Sequence, residues 1–242
     1  MALKIDCALV LAAGLGTRMR HLTSDHPKPL VEVAGRRLID RVLDRIADAD
    51  IPRAVVNVHY KADLIEAAVR QRSRPTIIIS DERAQLLETG GAVTHARELL
   101  GPAPFLIHNS DSVWLEPANR SAIVGLAAAW DDSRMDCLML LAKTATSLGF
   151  DGRGDFSMDD AGRLARRGTA ASAPYVFTGV SIAHPRLFQN APQGPYSLNL
   201  VWDQAIREGR LHGTVLDGQW MHVGTPEAVA AADTAFAAGI VD

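Results

Sequence analysis

The sequence predicts an α/β fold built on a mixed, mainly parallel sheet flanked by helices, and three observations carry that expectation. Short apolar runs alternate with amphipathic stretches through the first half of the chain, the order of successive strand, helix and strand units. The first run, "CALVLAA" from Cys7 to Ala13, is apolar throughout and stops at Gly14, as suits a central strand buried on both faces. The 242 residues contain no linker, low-complexity tract or internal repeat, so one domain with a small embedded lobe is expected.

The elements follow in order. "LIDRVLDRIADA" spaces Leu38, Val42, Leu43 and Ile46 at helical intervals, and "AVVNVHY" after Pro52 and Arg53 reads as the second strand. "KADLIEAAVRQR" is a second helix, "TIIIS" a third strand and "TGGAVTHARELL" a third helix; "PFLIHNSDSVW" reads as one apolar strand with a polar tip. Beyond Asp131, "DCLMLLAKT" is a strand, the stretch from Gly149 to Pro174 a lid or hairpin, and "YVFTGVSIAH" a further strand. "SLNLVWDQAIREG" is a helix and "LHGTVLDGQWMHVG" one or two strands. The last helix opens with Thr225 as N-cap, Pro226 at its first position and Glu227 in its first turn. Such a Rossmann-like order directs attention to the polar tips, because ligands bind beyond the carboxyl ends of the strands.

Composition narrows the function. With 25 Lys and Arg against 28 Asp and Glu, the net charge of −3 argues against nucleic-acid or membrane binding through a bulk field. The two cysteines, Cys7 and Cys137, lie inside apolar runs with no zinc or redox spacing. Neither a signal-peptide pattern nor a bilayer-length apolar run is present, so a soluble cytoplasmic protein, a monomer or small homo-oligomer, is expected.

The most informative stretch is "LVLAAGLGTRMRHLTSDHPKPL", which ends at Leu30. A Gly-rich turn after a strand admits phosphate to backbone N–H groups. A dinucleotide site asks for a small residue where Met19 stands and an acidic residue after the second strand, which instead ends in His59 and Tyr60. Arg18 offers a triphosphate bidentate bonds, and the prolines flanking Lys28 hold one ammonium charge at a set place. An exposed basic turn accounts for the glycines alone, but not for the whole combination.

Gly14, Gly16, Thr17 and Arg18 followed by Pro27, Lys28 and Pro29 resemble the signature of the sugar-1-phosphate nucleotidyltransferases, G-x-G-T-R and then P-K-P. The resemblance covers nearly the whole chain: "LLETGGAV" looks like the base-contacting loop, "HNSDSVW" the metal-bearing strand end, "FTGVSIAHP" the sugar-contacting strand and "WMHVGTPE" the closing motif. "ETGG", "GRGDF", "FTGVSI" and "W-x-x-VGT" look most like the branch that couples N-acetylmuramate-1-phosphate to UTP in cell-wall sugar recycling. Other hexose- or heptose-1-phosphate enzymes using guanine or thymine nucleotides share most of these pieces. The resemblance implies the nucleotidyltransferase fold, with a nucleotide-binding half to about residue 115 and a sugar-binding half after it. The implied reaction is attack of a sugar-1-phosphate oxygen on the α-phosphorus of a nucleoside triphosphate, assisted by Mg2+.

It also assigns roles. Ala12, Ala13, Gly14, Gly16 and Thr17 would cradle the nucleotide, Arg18 hold the leaving phosphates and Lys28 bridge the substrates at the α-phosphate. The backbone near Leu87 and Glu88, with Gly90 and one polar side chain among Glu82, Arg83 and Gln85, would read the base, Asn109 orient the ribose or the metal shell, and Asp111 bind the metal. Gly154, Asp155, Thr178 and Gly179 would contact the sugar. Two departures stand out. His222 replaces the usual second metal carboxylate, which tilts the site from Mg2+ toward Mn2+, unless it contacts phosphate or simply packs. No lysine follows Lys143, so Arg166 or Arg167 could substitute for the family's sugar-phosphate lysine, although on local evidence an exposed surface pair fits the two arginines better. A catalytically silent nucleotide-sugar sensor remains the competing reading, favoured by His222 and opposed by the intact Arg18, Lys28 and Asp111.

Overall fold

The structure, a computed structural model, describes residues 3–239. Its elements run β1 (Cys7–Leu11), a 3-10 turn (Thr17–Thr23), a shorter one (Lys28–Leu30), β2 (Glu32–Val33), β3 (Arg36–Arg37), α1 (Leu38–Asp48), β4 (Arg53–Val58), α2 (Ala62–Val69) and β5 (Thr76–Asp81). There follow α3 (Glu88–His95), α4 (Arg97–Leu100), β6 (Phe105–Asn109), β7 (Ser112–Leu115), α5 (Ala122–Ala129), β8 (Cys137–Lys143), β9 (Phe156–Met158) and β10 (Leu164–Arg166). The chain closes with β11 (Tyr175–Ala183), α6 (Asn199–Arg207), β12 (Leu211–Val215), β13 (Gln219–His222) and α7 (Pro226–Ala238).

Strand β1 lies between β4 and β6, both parallel to it, and β5 extends the parallel half beyond β4. Strand β11 then runs antiparallel to β6, β8 antiparallel to β11, and β12 parallel to β8. The sheet is therefore mixed, parallel where the first half of the sequence builds it. The β9–β10 hairpin continues beside the first residue of β11, as the irregular stretch after Gly149 had indicated.

Alternation along β1 divides the core. Ala8 and Val10 face Ile39, Val42, Leu43 and Ile46 of α1, Ile65 of α2 and Leu126 of α5, while Cys7 and Leu9 face Val93, Ala96, Trp202 and Ala205 on α3, its end and α6. A third cluster gathers Met19, Val33, Leu38, Val113, Met221 and Val223 beside α7. It anchors the phosphate-turn segment to a two-stranded sheet of β7 and β13. Both cysteines are buried and unpaired, and no described helix is long and apolar enough to cross a membrane.

Three expectations on element boundaries change. "PFLIHNSDSVW" is two strands, because β6 ends at Asn109 and the chain leaves the main sheet so that β7 pairs with β13. Val113 is buried in the third cluster, while Trp114 shares the cluster of Leu106 and stacks on the His108 ring of β6 at 5.5 Å, so both strands are apolar and read as one run. The third helix is interrupted at Ala96, and α5, capped by Ser121, was not assigned from sequence.

Thr225 Oγ1 accepts from the Ala228 N–H at 3.2 Å and caps α7, as its sequence position indicates. Thr225→Ala is expected to lower unfolding stability by about 1 kcal/mol, measured as a shift of the urea midpoint at unchanged slope.

Candidate active site

A cavity of about 320 Å³ opens at the carboxyl ends of β1 and β6, the size of a small-ligand pocket. The turn after β1 supplies Ala12, Ala13, Gly14, Gly16, Thr17 and Arg18 to its wall. Gly16 adopts φ 65° and approaches Lys28 so closely that a Cβ would stand 2.9 Å from the Lys28 Cβ; only glycine combines that backbone with that contact. The amides of Gly14, Leu15 and Gly16 donate to no protein acceptor among the described residues. They are free to bind an anion.

The amides of Ala12 and Ala13 are not free. Both donate to Asn57 Oδ1, at 2.6 and 3.3 Å, so the expected cradle begins one residue later. Asn57, buried near the end of β4, also lines the cavity. Sequence reasoning missed it, although an amide inside "AVVNVHY" was a signal: a buried polar group must have a partner.

Lys28 Nζ lies 2.5 Å from Asp111 Oδ2, and the two side chains are only 12% and 22% exposed. Asp111 occupies the two-residue connection between β6 and β7. Burial pushes its carboxyl up, but the Lys28 ammonium, the hydrogen bond from it and the nearby His222 together bring the pKa below the ordinary carboxylate value. Burial lowers the pKa of His222, and Lys28 and Arg18 add to that against the pull of Asp111. The imidazole is thus neutral at neutral pH and retains a lone pair. It sits behind Gly224 rather than in the cavity wall: a Cβ there would be 2.6 Å from His222 Nε2 and 3.5 Å from Arg18 Nη1. Arg18 is exposed and has no carboxylate partner among the described residues.

No group of three or more His, Cys, Asp or Glu side chains that would hold a cation occurs among the described residues. Asp111 and His222 offer two donors, which fits a divalent ion that completes its shell with phosphate oxygens and water and does not fit a resident cage.

On the base side, Glu88 and Thr89 line the cavity, and Glu88 adopts φ 59°, an uncommon conformation outside glycine. Glu82 and Gly90 lie elsewhere than expected. Glu82 is buried, with its carboxylate receiving Asn57 Nδ2 at 2.9 Å and the Leu87 N–H at 3.3 Å; burial raises its pKa against those two bonds. Leu87 is outside the wall, and Gly90 packs against the Tyr196 ring. Asn109 lines the cavity beside Gly179, whose φ of 91° and 2.9 Å clearance from Asn109 Cβ admit no side chain.

The side chains expected at the sugar make bonds and close contacts within the protein. Asp155 Oδ2 accepts from the Phe177 N–H at 3.0 Å, and Thr178 is buried with its hydroxyl donating to the Leu140 carbonyl at 2.8 Å. The Thr178 carbonyl accepts from Trp220 Nε1 at 3.1 Å and from Ser112 Oγ. A Cβ on Gly154 would meet the Ala173 carbonyl at 2.2 Å. None of these three, nor Gly179, lines the cavity. Arg166 bonds to Asp203 and Asn199, and Arg167 to the Gly154 and Ala170 carbonyls, so Arg166 is paired with a carboxylate and Arg167 is not. Arg167, Lys143 and Arg153 of that lobe have no carboxylate partner among the described residues.

Residues 7–150 match the nucleotidyl transferase family. The chain is 49% identical over 234 residues to an N-acetylmuramate alpha-1-phosphate uridylyltransferase of Caulobacter vibrioides, covering 95% of this chain and 96% of that one. It is 34% identical over 223 residues to an enzyme of the same name from Neisseria meningitidis serogroup B, covering 90% and 93%. The inositol-1-phosphate CTP transferase of T. maritima shares the fold, with a TM-score of 0.78 at 17% identity over the full length of both chains.

The depressed pKa of Asp111 links its ion pair to pH. Its contribution to stability is complete above the unfolded carboxylate pKa of about 4 and is lost as pH falls through the lower folded value. In urea titrations the advantage of wild type over Asp111→Asn should therefore be constant near neutrality and shrink below about pH 4. A gap that persists there would mean the pair does not stabilise the ionised carboxylate.

Proposed function

The chain belongs to the nucleotidyl transferase family, and from that premise we propose that it transfers a uridylyl group from UTP to N-acetylmuramate α-1-phosphate, releasing pyrophosphate. The observation that carries the reading is the meeting of free turn amides, unpaired Arg18 and the Lys28–Asp111 pair at one cavity. High identity to two uridylyltransferases across nearly the whole chain supports the choice of base and sugar.

The chemistry asks for positioning and charge neutralisation, since the nucleophile is a phosphate oxygen of the substrate itself. That oxygen forms a bond to the α-phosphorus as the bond to the β-phosphate oxygen breaks, and the electron pair leaves with pyrophosphate. Gly14, Leu15 and Gly16 donate backbone hydrogen bonds to the phosphates, and Arg18 grips the leaving end with a planar, permanently charged donor. Lys28 neutralises charge at the α-phosphate, where both substrates meet. Asp111 and His222 would hold a divalent cation, Mg2+ or, given the imidazole, Mn2+. When bound, that ion supplies Lewis-acid polarisation of phosphate oxygen and offsets charge on the leaving group. Residues to about 115 bind the nucleotide, and the later half, through the backbone near Gly154 and Gly179, forms the sugar side. The reaction belongs to cytoplasmic cell-wall sugar recycling.

Pyrophosphate release across a grid of nucleoside triphosphates and sugar-1-phosphates, with Mg2+ and Mn2+ in parallel, tests the reading. Release should be strongest for UTP with N-acetylmuramate-1-phosphate; a different preferred pair, or silence from protein that still binds UTP, would overturn it. Asp111→Asn should fold and lose at least about 100-fold in turnover. His222→Asp should raise activity with Mg2+ relative to Mn2+.

A further inference from the structure

Two buried side chains join the two ends of the nucleotide cavity. Asn57 Oδ1 receives the Ala12 and Ala13 amides of the phosphate turn, and its Nδ2 donates to Glu82 Oε1 at 2.9 Å. The other Glu82 oxygen receives the Leu87 amide, the residue before α3 and cavity-lining Glu88. The orientation of the Asn57 amide is forced, since two N–H donors face one of its ends and a carboxylate the other. Both residues are nearly inaccessible, at 3% and 2% exposure, and the bonds join segments 45 and 25 residues apart in sequence. The Glu82 backbone is itself fixed, its N–H donating to the Val58 carbonyl at 2.8 Å while its own carbonyl meets His59 Nδ1 at 2.7 Å.

We propose that Asn57 and Glu82 form a positioning relay that sets the phosphate turn and the base loop at a fixed separation, and so determines how tightly and how selectively a nucleoside triphosphate is held. Neither residue needs to touch the nucleotide for this. Asn57 holds the turn so that the next three amides point at phosphate, and Glu82 holds the loop that carries Glu88 and Thr89. A buried network of this kind is rigid only when every member is satisfied. The relay rests on the nucleotide-binding reading of the cavity and on neither the identity of the sugar nor that of the base.

Exchanging the chemistry of the two residues gives a direct test. Asn57→Asp sets two carboxylates side by side, and Glu82→Gln leaves one of two donors without an acceptor. The double variant Asn57→Asp, Glu82→Gln restores every bond. Its carboxylate, now on β4, would accept from both turn amides and from the side-chain amide introduced in place of Glu82, whose oxygen would accept from the Leu87 N–H.

The readouts are UTP affinity by calorimetry with Mg2+, the separate KM values of both substrates, the ratio of kcat/KM for UTP over other triphosphates, and the thermal midpoint. Each single variant should weaken UTP binding and raise its KM by about 10- to 100-fold. The KM of the sugar phosphate should stay within about 2-fold and the base preference should fall, a split that general loosening would not produce. The double variant should return to within about 3-fold of wild type. Folded single variants that bind UTP like wild type would overturn the relay. So would a folded double variant that binds no better than the singles, and this second arm decides the matter if the singles do not fold. A wild-type protein that binds no nucleoside triphosphate would overturn the nucleotide reading, and the relay with it.

Discussion

The Lys28–Asp111 ion pair is the contact on which the site's geometry turns. It ties a proline-flanked turn to the break between β6 and β7, two segments that share no backbone ladder. Burying both charges is unfavourable unless each retains a partner. The pair therefore holds the two segments together while keeping an ammonium and a carboxylate poised beside an anion-binding turn. With a phosphate and a cation present, each member has an alternative partner of the right sign, so the same contact that orders the empty cavity need not obstruct the filled one.

The break between β6 and β7 follows from the same requirement. Had the apolar run continued as one strand, the chain would have stayed in the main sheet alongside β1. Instead it turns at Ser110 and Asp111, and β7 pairs with β13, bringing His222 opposite Ser112 in register. The Thr178 carbonyl accepts from Trp220 and Ser112 and fastens this small sheet back to β11. The support behind one side of the cavity is thus assembled from three distant parts of the sequence, joined at the buried Thr178 carbonyl.

Much of the framework was legible because it is periodic. The apolar spacing in Leu38 to Ile46 and the uninterrupted run in Cys7 to Leu11 report burial directly, and the parallel half of the sheet follows from their alternation. The phosphate turn was legible because glycine at Gly16 and a charge at Lys28 answer to local geometry. The partition between cavity wall and support was not. Glu82, Asp155 and Thr178 are polar residues beside binding motifs, and nothing in their order along the chain distinguishes a side chain aimed at a ligand from one aimed at a backbone N–H or carbonyl. Asn57 carries the opposite lesson. Its isolation within an apolar strand marked an obligatory partner, but the identity of that partner depends on β1 and β4 lying side by side.

Charge balance explains how a neutral imidazole is tolerated where a second carboxylate is usual. Around the cavity Asp111 contributes one negative charge against Lys28 and Arg18, and His222 contributes none because burial and those two cations disfavour its protonation. At the phosphate end these groups leave one positive charge in excess, suited to a polyanion, while Glu88 places its negative charge on the base side of the cavity. A second carboxylate would cancel that excess and shift the burden of anion binding onto the cation. With His222 the protein retains the greater share, and the imidazole can still donate a lone pair to an ion that the phosphates bring. On the proposed reading, His222 in this place would trade electrostatic hold on the metal for hold on the nucleotide, in keeping with the lack of any group of three or more His, Cys, Asp or Glu donors among the described residues.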